Sequence, residues 1–258
     1  MSDHAEDGWA HERNCAALEA EIRRFLVAAE QADPAIPVPT CPGWTVADLV
    51  KHHGTTHRWI EHIVRRRAQE RIWSREVDLG LPDDEAHYPA WLATGVGPLL
   101  ATLREIDPDT PLWTWGADRH ARFWPRRLLH EAAIHCADAE LALGGTPRIE
   151  PDTAVDGVDE FLANLPYAHW VAPRLRQLPG DGATLHLHAT DCDGEWMITI
   201  GADGFTWSRG HGKGTVAVRA TASDLMLLVY GRLQASDERL TVYGDQRLLA
   251  QWLEKTAF

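Results

Sequence analysis

Glu131 and His135 stand four residues apart in the run WPRRLLHEAAIHCADAEL, residues 124–141. In a helix such a pair projects from one face, so a carboxylate and an imidazole there can reach the same divalent cation. A third donor would complete a centre that keeps one coordination position open for chemistry. The segment KHHGTTHRWIEH, starting at Lys51, can supply it from His52, His53 or His57. HEAAIH is HExxxH rather than HExxH, so zinc-protease chemistry is not implied. Two imidazoles and one carboxylate favour Zn²⁺, although Fe²⁺ and other divalent ions accept the same donors. An ion held this way would convert a bound thiol to a thiolate, or a bound water to a hydroxide.

Helical periodicity sharpens the two segments differently. At about 100° per residue, Glu131 and His135 fall inside the apolar arc of their helix, and His130 falls toward solvent. A buried carboxylate needs an ion, a metal or a hydrogen-bond partner. A Glu–His hydrogen bond or a Glu131–Arg pair would serve as well as a metal. In the second segment the apolar stripe is Val46, Leu49, Val50, Ile60, Ile63 and Val64. His53 lies near its centre, with His57 on one flank and His52 on the other. Periodicity alone therefore favours His53 as the inward group.

The first two-thirds of the chain read as helical. A helix-period stripe (Leu18, Ile22, Phe25, Leu26, Ala29) predicts a helix over 15–32, and the prolines between Asp33 and Gly43 predict a loop. Thr45 followed by Asp48 is a variant capping box, opening a second helix to about Gln69. A third is predicted over 87–106, interrupted near Gly95–Pro98. The Glu131/His135 helix should start near Pro125 and stop at Gly144-Gly145. A fifth helical stretch is predicted over 152–165. After Pro179-Gly180-Asp181-Gly182, strand-like runs at 184–189, 196–200, 205–208, 215–219 and 240–243 alternate with Gly/Asp turns, and helices are predicted at 223–230 and 245–253. The expected fold class is α+β: a four-helix bundle over residues 1–166, then a small α/β domain over 167–258.

The bulk numbers exclude several partners. The chain has 258 residues, 45% of them hydrophobic, enough for a core, and its formal net charge of −13 disfavours nucleic acid and anionic membranes. Cys15, Cys41, Cys136 and Cys192 are scattered, with no CxxC pair, as expected in a reducing compartment. The N-terminal residues are polar and acidic, unlike a secretion signal, and no apolar run is long enough to span a membrane. A cytoplasmic location is expected. Among twelve tryptophans, Trp59, Trp113, Trp115 and Trp124 could wall an apolar pocket or fill the core.

Three stretches carry a resemblance. TCPGWTVADLVKHHGTTHRWIEHIV (40–64) and RRLLHEAAIHCADAELALG (126–144) resemble the paired metal-binding motifs of the mycothiol-dependent maleylpyruvate isomerase family. VRATASDLMLLVYGRL (218–233), followed by LTVYGDQRLLAQWL (240–253), resembles its C-terminal domain. The resemblance implies a DinB-like four-helix bundle and a small domain akin to sterol-carrier folds. It implies a divalent metal, usually zinc, on His52, Glu131 and His135. Family sequences usually read His-Leu where this chain has His52-His53, so the motif selects His52 against the periodicity. His57 and Asp138 also match motif positions, one as a group facing the substrate pocket, the other there or orienting a ligand.

The chemistry implied is thiol-centred. Mycothiol adds to an activated double bond of maleylpyruvate, rotation follows, and elimination gives the trans isomer. Other members transfer mycothiol to electrophiles. Arg232 is the candidate cation for an anionic acceptor, beside Arg58 and Arg127. So few candidate cations favour the broader S-transferase reading over an isomerase of a dianion. The expected partners are mycothiol and a small electrophile. The competing readings are a metal hydrolase using a bound hydroxide, and a non-enzymatic binding module with a structural metal.

Overall fold

The structure is a computed structural model that describes residues 11–257. Residues 1–10, read above as carrying no secretion signal, lie outside the described residues. The chain divides into two compact units, and the boundary falls between Pro147 and Arg148.

Four long helices build the first unit: α1 (His11–Gln31), α2 (Val46–Arg66), α3 (Tyr88–Glu105) and α4 (Phe123–Ala142). Helix α2 opens with the expected capping box. The Asp48 N–H donates to the Thr45 hydroxyl, and the Thr45 N–H donates back to the Asp48 carboxylate. Helix α4 closes as Gly144 and Gly145 predicted, with Gly144 at φ 76° and the Gly145 N–H bonded to the Glu140 carbonyl. Two expectations change here. Helix α3 runs unbroken through Gly95–Pro98, with Pro98 inside it. His130 is fully buried rather than solvent-facing, because α4 is covered on nearly every side.

Helix α1 packs on α4 and α2 on α3. Leu18, Ile22, Ile60, Ile63, Leu99, Leu103 and Leu128 fill one part of the core between them. Trp59, Trp113 and Trp124 pack on one another with ring centroids 5.9–6.1 Å apart, as part of this core. Gly54 lets α2 and α3 approach closely: a Cβ there would lie 2.1 Å from the Trp91 ring. Arg58 fastens the same contact, donating to the Trp91 carbonyl at 2.5 Å and lying over the Trp91 ring. It is thus engaged in joining two helices.

The second unit contains α5 (Pro151–Asn164), α6 (Ala172–Leu175), β1 (Thr184–Ala189), β2 (Glu195–Gly201), β3 (Gly204–Arg209), β4 (Val216–Ala220), α7 (Ala222–Val229), β5 (Thr241–Gly244) and α8 (Gln246–Thr256). The strands order β3-β2-β1-β4-β5. The β1–β4 pair is parallel and the other pairs are antiparallel. Leu185, Leu187, Trp196, Ile198, Val216 and Val218 alternate along the strands and are buried, and α7 packs against β1 and β4. Helix α5 belongs to this unit. It packs on α7, and its Asp159 accepts from Trp196 Nε1 and Arg209. The division therefore falls earlier than the expected 166/167. Among the described residues, no helix is long and apolar enough to cross a membrane.

Candidate metal centre

Helix α2 contributes His52 and helix α4 contributes Glu131 and His135, and their three donor atoms lie within 4.8 Å of one another. His52 Nε2 is 3.2 Å from Glu131 Oε1. The His52 and His135 rings stand 5.0 Å apart and nearly perpendicular, at 75°. Donors spaced in this way can close on a single divalent ion with modest side-chain movement.

The orientation of His135 is fixed from behind. Its Nδ1 lies 2.8 Å from Asp138 Oδ2, one turn along α4. A carboxylate only accepts, so Nδ1 carries the proton and Nε2 keeps its lone pair for the site. Asp138 is fully buried and is itself held by the loop before α2. The Thr40 hydroxyl donates to it at 2.5 Å and the Cys41 thiol at 3.4 Å. That loop turns at Gly43, φ 84°, and is pinned by the Val38 N–H to Trp44 carbonyl bond. The turn sets the Trp44 ring 5.1 Å from the His52 ring and 6.4 Å from that of His135. Thr40, Cys41 and Trp44 are functional neighbours that residue-type reasoning missed. Their only signal was the TCPGW motif itself.

Electrostatics favour ligation. Burial would raise the Glu131 carboxyl, but the His52 hydrogen bond and the charges of His52, His135 and Arg127 outweigh it and hold it well below the usual carboxylate range. Burial lowers His135, against the opposing pull of Asp138. It lowers His53 strongly, assisted by His57 and His135, and it brings His57 down to about 4. Of the trio, His135 is thereby shifted toward the neutral form, the one that binds metal.

The remaining expected residues fall elsewhere. His53 is inward, as periodicity indicated, stacked on Phe25 at 4.3 Å with its Nδ1 3.4 Å from His57 Nε2. It is outside the donor trio, which takes His52 from the flank of the stripe. His57, expected to face substrate, is only 1% exposed and meets His53 instead. Asp138, offered for the same role, faces Thr40, Cys41 and His135. Arg232 lies in the other unit, just past α7. Its N–H bonds the Leu227 carbonyl in the turn made by Gly231, φ 75°, and its guanidinium donates to the Tyr230 carbonyl at 2.7 Å.

The comparisons bear on this geometry. A family model described as the mycothiol maleylpyruvate isomerase N-terminal domain matches residues 15–140, and the C-terminal domain model of that family matches residues 152–251. The chain belongs to this family. The N-terminal match contains the whole donor trio and its supporting loop, and the unit boundary lies in the gap between the two matches. A crystal structure titled mycothiol-dependent maleylpyruvate isomerase has the same fold, with TM-score 0.59 and 14% identity over 94% of this chain and 95% of that one. A histidine-to-alanine mutant of that isomerase aligns at TM-score 0.60 and 15% identity, with the same coverage. No curated protein sequence matches the chain.

Proposed function

We propose that the protein is a zinc- and mycothiol-dependent isomerase or S-transferase, with His52, Glu131 and His135 as the zinc ligands. The observation that carries this is the convergence of the three donors from α2 and α4, with His135 oriented by Asp138. It stands together with membership of a family of thiol-dependent isomerases. A bound zinc ion would supply Lewis acidity, keeping a thiol ionised at neutral pH.

The chain's residues do the rest. Glu131 with two imidazoles, which ligate metal only in their neutral form, would present one negative charge to a divalent ion and leave net positive charge for an anionic thiol. Trp44 lies beside both imidazoles, with ring centroids 5.1 Å from His52 and 6.4 Å from His135. Three of the four thiols are poorly suited as nucleophiles, and the fourth, Cys41, donates its S–H to the buried Asp138. Burial pushes Cys15 up to about 11 and Cys136 up to about 12, and it raises Cys192. The nucleophile is therefore an external thiol. Its sulfur forms a bond to one carbon of an activated double bond, and the electron pair moves onto the acceptor. Rotation and expulsion of the thiol give isomerisation, whereas protonation of the adduct gives S-transfer. Arg232 is the proposed cation for the acceptor's developing charge. A reduced cytoplasmic setting suits such a cosubstrate, in keeping with four cysteines outside any disulfide.

The test is turnover of maleylpyruvate and of a generic electrophile by zinc-loaded protein, with and without mycothiol. Conversion is expected only with both zinc and thiol, and Glu131→Ala should abolish it by at least 100-fold while releasing the metal. Turnover of hydrolysable esters without thiol would establish the hydrolase reading instead. Equal zinc content in wild type and Glu131→Ala would remove the basis of this one.

A further inference from the structure

The sheet of the second unit holds another cluster of metal-binding residue types, independent of the trio on α2 and α4. Four donor atoms, from His186, His188, Glu195 and His211, lie within 4.8 Å of one another. The backbone brings them together in three steps. His186 and His188 are two residues apart on β1 and share a face. Glu195 pairs directly with His188 across the antiparallel β1–β2 ladder, so it projects from that face as well. His211 comes from the run Gly210-His211-Gly212-Lys213-Gly214 after β3, which folds down onto the strands.

The glycines allow that close approach. A Cβ on Gly212 would lie 2.9 Å from Met197 Sδ, and one on Gly214 would lie 3.1 Å from His186 Cβ. The His211 ring thereby meets the His186 ring edge-on at 5.2 Å. His186 is buried beneath the loop, although it points away from the face that carries Leu185 and Leu187.

Three imidazole nitrogens converge on one carboxylate oxygen. His188 Nδ1 hydrogen-bonds Glu195 Oε1, His211 Nδ1 is 3.1 Å from it, and His186 Nε2 is 3.8 Å from it. His186 Nε2 has no hydrogen-bond partner, and its side chain is 8% exposed. A buried nitrogen in that state is unfavourable unless something satisfies it. Tetrahedral zinc with nitrogen and oxygen ligands about 2.0–2.1 Å away separates neighbouring donors by about 3.4 Å. His211 Nδ1 and His186 Nε2, at 3.1 and 3.8 Å from Glu195 Oε1, lie either side of that value, and His188 Nδ1 is closer.

We propose that His186, His188, His211 and Glu195 form a second zinc site. Four protein ligands close the coordination sphere, so the ion is structural: it joins β1, β2 and the 210–214 loop and leaves no position for substrate. The inference does not rest on the thiol-dependent reading, since none of its residues belongs to the α2–α4 centre.

The experiment is metal stoichiometry on the tag-free full chain, measured by elemental analysis after zinc loading and dialysis, with Co²⁺ absorption as a second readout. Glu131→Ala/His135→Ala protein should retain about one zinc per chain and a tetrahedral Co²⁺ spectrum. Adding His188→Ala/His211→Ala should remove both. The side chain of His211 is 79% exposed, so His211→Ala alone leaves the fold intact. That variant should weaken zinc affinity at this site at least 10-fold. A folded Glu131→Ala/His135→Ala protein that binds no zinc overturns the proposal, as does unchanged affinity in its His211→Ala derivative. Wild-type protein with one zinc, lost only on changing His188 and His211, would support this site and sink the other.

Discussion

Asp138 stands behind His135, and one bond from it decides which nitrogen of that ring faces the site. Removing such an orienting carboxylate typically costs 10- to 100-fold in metal affinity. Asp138→Ala should therefore weaken zinc binding at the α2–α4 centre by that factor, measured by chelator competition, while the helical circular dichroism is unchanged. An affinity within twofold of wild type would show that Asp138 serves packing alone. The histidines show how far single residues could be read from sequence. The wheel placed His53 inside correctly, and a centred position on an apolar stripe means burial under Phe25. A ligand for an accessible ion sits instead at the stripe's edge, where His52 is 37% exposed. Periodicity reports depth and says nothing about access, so only the motif pointed to His52. The second cluster was invisible for a related reason. His186, His188, Glu195 and His211 meet through strand register and a folded-back loop, and neither has a local spacing signature.

At the scale of elements the caps and periodicities were readable because their causes are local. Thr45 with Asp48, and Gly144 with Gly145, are contacts within a few residues of chain. Tertiary packing was not readable. Periodicity puts His130 toward solvent, yet α4 is covered around nearly its whole circumference. The 152–165 helix was correctly predicted, but its pairing with α7 is a long-range fact that moved the domain boundary. Gly54 belongs to the same class. Helix α2 is continuous through this position, where Gly54 makes room for Trp91. Trp91 cannot easily withdraw, since its Nε1 donates to the Leu79 carbonyl and Arg58 lies on its ring. Gly54→Ala gains about 1 kcal/mol of helix propensity but overpacks the contact, which typically costs about 1–3 kcal/mol. The overlap here, a Cβ 2.1 Å from a ring carbon, is at the severe end. A lower denaturation midpoint is expected, and Trp91→Leu in the same chain should recover part of it. A Gly54→Ala protein as stable as wild type would show that α3 shifts freely against α2.

For the molecule as a whole, the neutral histidines buried between the helices set a limit on acid stability. A histidine in the unfolded chain titrates at about 6.5, and His57 is brought down to about 4 in the fold, chiefly by burial. Between those two pH values the unfolded chain takes up a proton that the folded chain refuses. Acidification through this window therefore favours unfolding, and the contribution saturates once the folded site also protonates. At about 1.4 kcal/mol per pKa unit the loss approaches 3 kcal/mol. His53, lowered further, adds to the same slope. The surface charge acts separately: the chain's formal net charge is −13 near neutrality, and protonating surface carboxylates relieves that repulsion as pH falls. The two effects have opposite signs, so the histidine term has to be isolated by difference. In metal-free protein, urea unfolding at several pH values between 7 and 4 should show stability falling with pH. His57→Phe, which cannot protonate, should flatten that slope whatever its effect on stability at pH 7. Parallel slopes in wild type and His57→Phe would mean that the buried imidazole pair does not govern the acid response.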